Sequence, residues 1–327
     1  MAAKMMISNK IMKIYVINQD EENLRLDRYL KILFPVLKQS QIEIFLRKKD
    51  ILLNDKKTSA SARLSIDDKL MVNEFFLKNI TNAENSEITT TKKAADFNPT
   101  LLQKIKNSII VQNENFIILN KPHGLAAQGG TKITHSLDNY LKILFPQASP
   151  KLVHRLDKDT TGAIIVALNL KAAQILANDI KERQFKKKYL AVVVGMVKKP
   201  EGEIILNLNN DYKVTAGDNG LKSITYYKVL MATKNISLLE VTPITGRKHQ
   251  IRASCLEMGH PILGDGKYGG NQAFVKGFAN KLHLHSYMIA IKNSLSNSDY
   301  YAEISDYMKD TLAKIGFSEK SLKTTTF

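Results

Sequence analysis

The sequence predicts an α+β protein built on a mainly antiparallel mixed sheet flanked by helices, and three observations carry that reading. Apolar runs of strand length recur through the last two-thirds of the chain. Several follow one another with only a turn between them, which suits antiparallel pairing rather than strict strand–helix alternation. Helical spacing of apolar residues is confined to a few segments, at the front of the chain and between strands.

Residues 1–22 stand as an N-terminal extension. From Leu26 to Phe34, the apolar residues Leu26, Tyr29, Leu30, Leu33 and Phe34 share one face of a helix that opens near Asp27 and is stopped by Pro35. A second short helix begins at Ser40, an N-cap residue type, and runs through Ile42, Ile44, Phe45 and Leu46. It closes on Arg47, Lys48 and Lys49, where cations suit a helix C-terminus. Ile51 to Leu53 reads as a strand, Asn54-Asp55 as a turn and Lys69 to Val72 as a further strand, completing a small unit over 23–78. Residues 79–104 form a linker, polar and without apolar periodicity as far as residue 99.

The larger unit, 105–305, carries strands at Ile109–Val111, Phe116–Leu119, Ala163–Leu168, Tyr189–Val194, Glu203–Leu208, Ile224–Leu230, Ile236–Val241 and Leu282–Ile291, with helices at Ser136–Phe145 and Ala172–Gln184. A tail follows from 306 to 327. Leu26–Pro35 and Leu137–Pro146 share the pattern Leu-Asp-x-Tyr-Leu-Lys-Ile-Leu-Phe-Pro. Nothing on either side of the two segments matches, so they read as two similar helices stopped by proline and not as a duplication.

Composition narrows the function. Lys and Arg number 48 against 31 Asp and Glu, a net charge of +17 over 327 residues. A polyanion is the natural partner, and nucleic acid fits better than a membrane surface because no basic amphipathic helix with an aromatic face stands out. The longest apolar run, Leu190 to Val197, is too short to span a bilayer. Met1 to Lys13 lacks the pattern of a secretory signal, which makes a cytoplasmic location the expectation. A single cysteine, Cys255, excludes a disulfide framework. No Gly-Lys-Ser/Thr occurs, which argues against a phosphate loop and nucleotide hydrolysis. His283-x-His285 has no acidic or cysteine partner at a metal-ligand spacing, so the two read as ordinary histidines.

Two segments carry chemistry. His154-Arg155-Leu156-Asp157-Lys158-Asp159-Thr160-Thr161-Gly162 enters an apolar strand, which puts its polar groups at a sheet edge. Arg155 and Lys158 flank Asp157 and favour its ionised form, though a loop aspartate is by itself most often a cap or a surface charge. Thr245-Gly246-Arg247-Lys248-His249-Gln250-Ile251-Arg252 turns out of a strand, and a helix there would place His249 and Arg252 on one face.

These segments, taken with Asn120-Lys121-Pro122-His123-Gly124-Leu125, Lys187-Lys188-Tyr189-Leu190-Ala191, Gly259 to Gly269 and Leu282-His283-Leu284-His285, resemble in order the motifs of the RluA-type pseudouridine synthases. The resemblance runs from about Asn23 to about Tyr301 and is closer to the large-subunit ribosomal RNA branch that carries an N-terminal S4 domain of αL type. Gly129-Gly130 leans towards the C type of that branch rather than the D type. The departures are Thr161 for a frequent serine, Ala127-Gln128 for Val-His, the added cation Lys248, and Asp50 where the S4 module often has glycine.

The resemblance implies the pseudouridine synthase fold, a reaction without cofactor or metal, and 23S ribosomal RNA or a large-subunit assembly intermediate as partner, handled by a monomer without a membrane. It makes Asp157 the catalytic aspartate, Arg252 its ion-pair partner and Tyr189 the tyrosine that stacks on the detached base. Arg155 would take the place of the flipped uridine, with His154, Leu156, Thr160 and Ile251 around the base. Lys187, and Arg25, Arg28, Arg47 and Lys48 of the S4 module, would hold the RNA backbone. Lys181, Arg183, Lys186 and Lys188 would add to one basic face and Lys38 and Lys49 to the other. The alternatives are a non-catalytic RNA-binding or ribosome-assembly factor on the same fold, a D-type synthase with a different set of rRNA uridines, and an aspartate-dependent hydrolase.

Overall fold

Two units divide the chain, residues 1–96 and 97–327, and each is described by itself. The structure is a computed structural model that describes residues 4–7, 10–34, 37, 39–73, 98–129, 135–209, 220–318 and 322. Pro35, Lys38, Gly130, most of the linker and the end of the tail lie outside the described residues.

The first unit is a four-stranded antiparallel sheet under two helices. Strands β1 (Lys4–Ile7), β2 (Lys10–Val16), β3 (Ile51–Leu53) and β4 (Lys69–Asn73) lie in the order β1-β2-β4-β3. Helices α1 (Leu26–Leu33) and α2 (Gln39–Arg47) bury Leu26, Leu30, Ile42 and Leu46 against Ile51, Leu70 and Val72. Residues 1–22 differ from the expectation of an extension, because β2 pairs with β4 along Met12 to Val16 and so widens the sheet.

In the second unit, helix α3 (Pro99–Asn107) occupies part of the stretch read as linker. Its start has a local cause: Asn98 accepts from the Leu101 N–H at 3.0 Å, and Pro99 sits where a helix needs no donor. The sheet comprises β5 (Ile109–Gln112), β6 (Phe116–Lys121), β7 (Lys151–Leu152), β8 (Thr161–Ala167), β9 (Lys186–Val194), β10 (Glu201–Leu208), β11 (Leu221–Ala232), β12 (Ile236–Pro243), β13 (Leu284–Asn293) and β14 (Ser296–Tyr301). Its order is β10-β11-β12-β9-β13-β8-β6-β5, with β14 on β13 and β7 on β8. Every pairing is antiparallel except β13 with β8, so the sheet is mixed and mainly antiparallel, as expected.

Helices α4 (Leu137–Leu144), α5 (Leu170–Lys181), α6 (Gln250–Glu257) and α7 (Asp306–Lys314) complete the unit. The tail begins on α7, whose Met308 and Leu312 pack into the core beside Leu190 and Leu238. Strand β8 is buried along its whole length because both faces are covered. Ile164 and Val166 face one core, with Tyr189 and Ala191; Ala163, Ile165 and Ala167 face the other, with Ala172 and Leu176 of α5.

One cross-strand row sets the level of the candidate site. Val241 pairs with Tyr189, Tyr189 with Ser286 and Ser286 with Gly162, across β12, β9, β13 and β8. At Gly162, φ is 107° and a Cβ would lie 2.2 Å from the Ser286 carbonyl oxygen, so only glycine lets β8 enter beside β13.

Candidate active site

The loop before β8, the start of β9 and the turn after β12 meet around a cavity of about 230 Å³. Asp157 comes from the first, Lys187 and Tyr189 from the second, and His249, Ile251 and Arg252 from the third; His154, Arg155, Leu156 and Thr160 also line it. Lys187 and Tyr189 point the same way because strand side chains alternate, whereas Lys188 turns to the other face and pairs with Glu240 at 3.0 Å. Leu156, Tyr189 and Ile251 are buried and make the walls apolar, while Arg155 is exposed at the rim.

The turn that presents Arg252 is held by Gln250. Its amide donates to the Ile224 carbonyl at 2.8 Å and to the Thr225 hydroxyl at 3.0 Å, while its oxygen accepts from Thr245 at 2.7 Å and from the Arg247 N–H at 3.0 Å. A helix carrying both His249 and Arg252 was the expectation; α6 instead starts at Gln250, and His249 is its N-cap residue with φ 58°. Both side chains still reach Asp157. Arg252 Nη1 and His249 Nε2 each stand 3.7 Å from the same oxygen, Oδ2.

Arg252 has a second and tighter partner. Its Nε and Nη2 donate to Asp265 at 2.7 and 2.6 Å, a two-pronged bond with a carboxylate that is 1% exposed. Its guanidinium also lies 4.9 Å from the centre of the Tyr268 ring. Burial opposes the charge, but Asp265 and then Asp157 hold the guanidinium pKa above its ordinary value. His249 is pushed down to about 4, chiefly by burial, against the pull of Asp157 and with Arg252, Lys267 and Lys248 adding to the fall. It is therefore neutral at neutral pH.

Burial likewise pushes the Tyr189 phenol up, so its proton stays on. Lys187, without a carboxylate partner among the described residues, is pushed down to about 8 by burial, and its amine lies 5.6 Å from the centre of the Phe185 ring. His154 accepts from the Ile165 N–H through Nε2 at 3.1 Å and is driven well below its ordinary pKa by burial.

Lys121 secures the loop from beneath. It is fully buried at the end of β6, and its amine donates to the carbonyls of Pro122, Leu125 and Lys158 at 3.1, 2.8 and 2.9 Å. Burial pushes it down to about 7, opposed by Asp159 and Asp157. His283 and His285 are buried hydrogen-bonding groups: His283 meets Thr311 at 2.9 Å and His285 meets Thr161 at 2.8 Å. Among the described residues no group of three or more His, Cys, Asp or Glu could hold a metal ion.

In the first unit Arg25, Arg28, Arg47 and Lys48 are exposed, and Arg25 is tied to Asp27 at 2.7 Å. Sequence reasoning missed Asp265 as the Arg252 partner and left His249 and Lys121 without roles. A lysine closing the apolar run Phe116 to Leu119 is a signal that could have marked Lys121. Asp265 lies within the motif Gly259 to Gly269, but nothing there marks it as the Arg252 partner, because it comes beyond α6 and a turn.

A family model described as RNA pseudouridylate synthase matches residues 115–257, the stretch that contains Asp157, Tyr189 and Arg252. A ribosomal large subunit pseudouridine synthase C of Rickettsia bellii is 38% identical over 288 residues, covering 85% of this chain and 93% of that protein. Its counterpart in Vibrio parahaemolyticus is 31% identical over 310 residues, 91% of this chain and 94% of the relative. Among solved structures, human RNA pseudouridylate synthase domain containing 4 superposes with a TM-score of 0.56 at 27% identity, over 66% of this chain and 96% of its own.

Proposed function

Since the chain belongs to the RNA pseudouridylate synthase family, we propose that it isomerises uridine to pseudouridine in large-subunit ribosomal RNA, with Asp157 beginning the reaction. The observation that carries this reading is one carboxylate in an apolar-walled cavity, facing Arg252 and His249 at 3.7 Å and opposite a buried tyrosine.

The C1′–N1 bond of the target must break, the uracil must turn, and C5 must then bond to C1′ while the C5 hydrogen leaves as a proton to solvent and N1 takes up a proton. The reaction is intramolecular and consumes nothing, so it needs a group that attacks the sugar or the base or assists loss of the 2′ proton, and a closed space that keeps the detached base. Asp157 supplies the first, whether by attack or by proton removal, with the Arg252 guanidinium placed beside it. The apolar walls, Leu156, Ile251 and the Tyr189 ring, supply the second. A base in a duplex or stacked loop must be flipped to reach this depth, and the exposed Arg155 at the rim is placed to fill the gap it leaves.

The first unit is read as an S4 module in which Arg28, Arg47 and Lys48 meet phosphate, with Arg25 shared between RNA and Asp27. The protein acts as a monomer on 23S ribosomal RNA or a large-subunit assembly intermediate, and the similarity to C-type relatives supports a C-type set of uridines over a D-type set.

Release of tritium from ribosomal RNA carrying 5-tritiated uridine tests the reading. The wild-type protein releases it and Asp157→Ala does not. Equal release by both would remove Asp157 from the reaction, and no release by either would leave a non-catalytic RNA-binding factor.

A further inference from the structure

We propose that His249 is a positioning residue for Asp157, its Nε2–H directed at the oxygen that also faces Arg252, so that the other carboxylate oxygen is the one presented to the substrate. The inference rests on Asp157 beginning the reaction, and it concerns a side chain to which neither the sequence nor the relatives' names give a role.

The tautomer follows from the neighbours. Lys267 Nζ lies 3.4 Å and Tyr268 Oη 3.0 Å from His249 Nδ1. An ammonium can only donate, so Nδ1 is the acceptor and the single proton of the neutral ring resides on Nε2. That N–H faces Asp157 Oδ2 at 3.7 Å, matching Arg252 Nη1 at 3.7 Å on the same atom. Both gaps exceed a hydrogen bond, as catalytic contacts often do before substrate closes the site. Two arms therefore converge on Oδ2, one from Asp265 through Arg252 and one from Tyr268 through His249. Oδ1 has no ion-pair partner among the described residues.

Backbone strain adds an independent argument. His249 holds φ 58°, a left-handed conformation that glycine adopts without strain. A side chain kept at such a position, with its ring 5.6 Å edge-on from Tyr268 and within reach of Asp157, is held there by what the ring contacts. Among the described residues, charged and titratable groups around the ring include Asp157, Arg252, Lys248, Lys267 and Tyr268. Burial among them keeps the ring neutral down to about pH 4, so it stays a donor through Nε2 across the working range.

Single-turnover tritium release from 5-tritiated ribosomal RNA separates positioning from mere structure. His249→Leu lowers the rate at saturating protein by about 10- to 100-fold, the worth of one hydrogen bond to a charged group, without weakening RNA binding. Its acid limb moves to higher pH. His249→Gln, whose amide returns an N–H near the Nε2 position, recovers most of the rate and restores the limb. An unchanged rate in His249→Leu, a loss seen only in RNA affinity, or a Gln variant no better than Leu would each overturn the proposal. Should His249→Leu not fold, the ¹⁵N spectrum of the wild-type imidazole decides: a proton on Nε2 whose signal shifts in Asp157→Asn supports the contact, and a proton on Nδ1 refutes it. If the wild type releases no tritium, the assigned function fails, while the spectrum still judges the contact.

Discussion

Arg252 grips Asp265 with two hydrogen bonds of 2.7 and 2.6 Å and leaves one nitrogen, Nη1, to face Asp157. The fully buried acid fixes the arginine; the arginine then offers the half-buried acid a placed charge. Asp265→Ala breaks a buried pair and leaves Arg252 uncompensated, which costs about 3 to 5 kcal/mol of stability. Asp265→Asn keeps the shape and one acceptor, so it folds better and loses turnover with RNA affinity intact. Urea unfolding and single-turnover tritium release measure the two effects.

Lys121 does not reach the cavity with its amine, yet it joins the loop after β6 to the loop that bears Asp157. Lys121→Met leaves three inward carbonyls without their donor and lowers stability by about 3 kcal/mol. Turnover falls with it because the Lys158 carbonyl, next in sequence to Asp157, loses its anchor. Thermal unfolding checks the first consequence; kcat measured well below the transition checks the second.

Exposed cations set the salt response. If about five phosphates are neutralised, affinity for an rRNA fragment falls roughly a hundredfold between 50 and 200 mM salt, at a slope of about −0.7 per contact. The double variant Arg47→Ala, Lys48→Ala makes the slope shallower by about 1.4. Fluorescence anisotropy titrations at four salt concentrations read this directly, and an unchanged slope would remove these two residues from the RNA interface.

Acid sensitivity has a buried source in His285. Its Nε2 meets the Ala302 carbonyl at 3.3 Å, so Nδ1 accepts from Thr161, and burial pushes the ring from 6.5 down to about 4. The unfolded chain takes up this proton near pH 6.5 and the folded chain only near 4. Stability from this group is therefore complete above about pH 6.5 and lost as pH falls towards 4, by up to about 3 kcal/mol. Urea midpoints for His285→Gln fall less steeply than those of the wild type over the same interval.

Much of this was legible in the residues. The runs Ile164–Val166 and Leu190–Val194 are apolar because they lie mid-sheet, covered on both faces, and such strands announce themselves. Asp157, Tyr189 and Arg252 stand out in the sequence because each sits in an ordered motif, and the structure brings all three to one cavity. What escaped depends on distance or on short elements. Asp265 meets Arg252 only after α6 and the following turn fold back. The two N-terminal strands are too mixed in polarity to show period two. His249 misled because one residue in a left-handed conformation moves the start of a helix without altering its spacing.

The row from Val241 through Tyr189 and Ser286 to Gly162 has a consequence in time. Its four members come from strands far apart in the chain, and each is aligned only through its neighbour. No pair of strands encloses the cavity by itself, and pairings of such long range form slowly relative to local helices. During refolding, the helical signal of α4 and α5 returns first. Catalytic competence returns in one later step, when β8 slots beside β13.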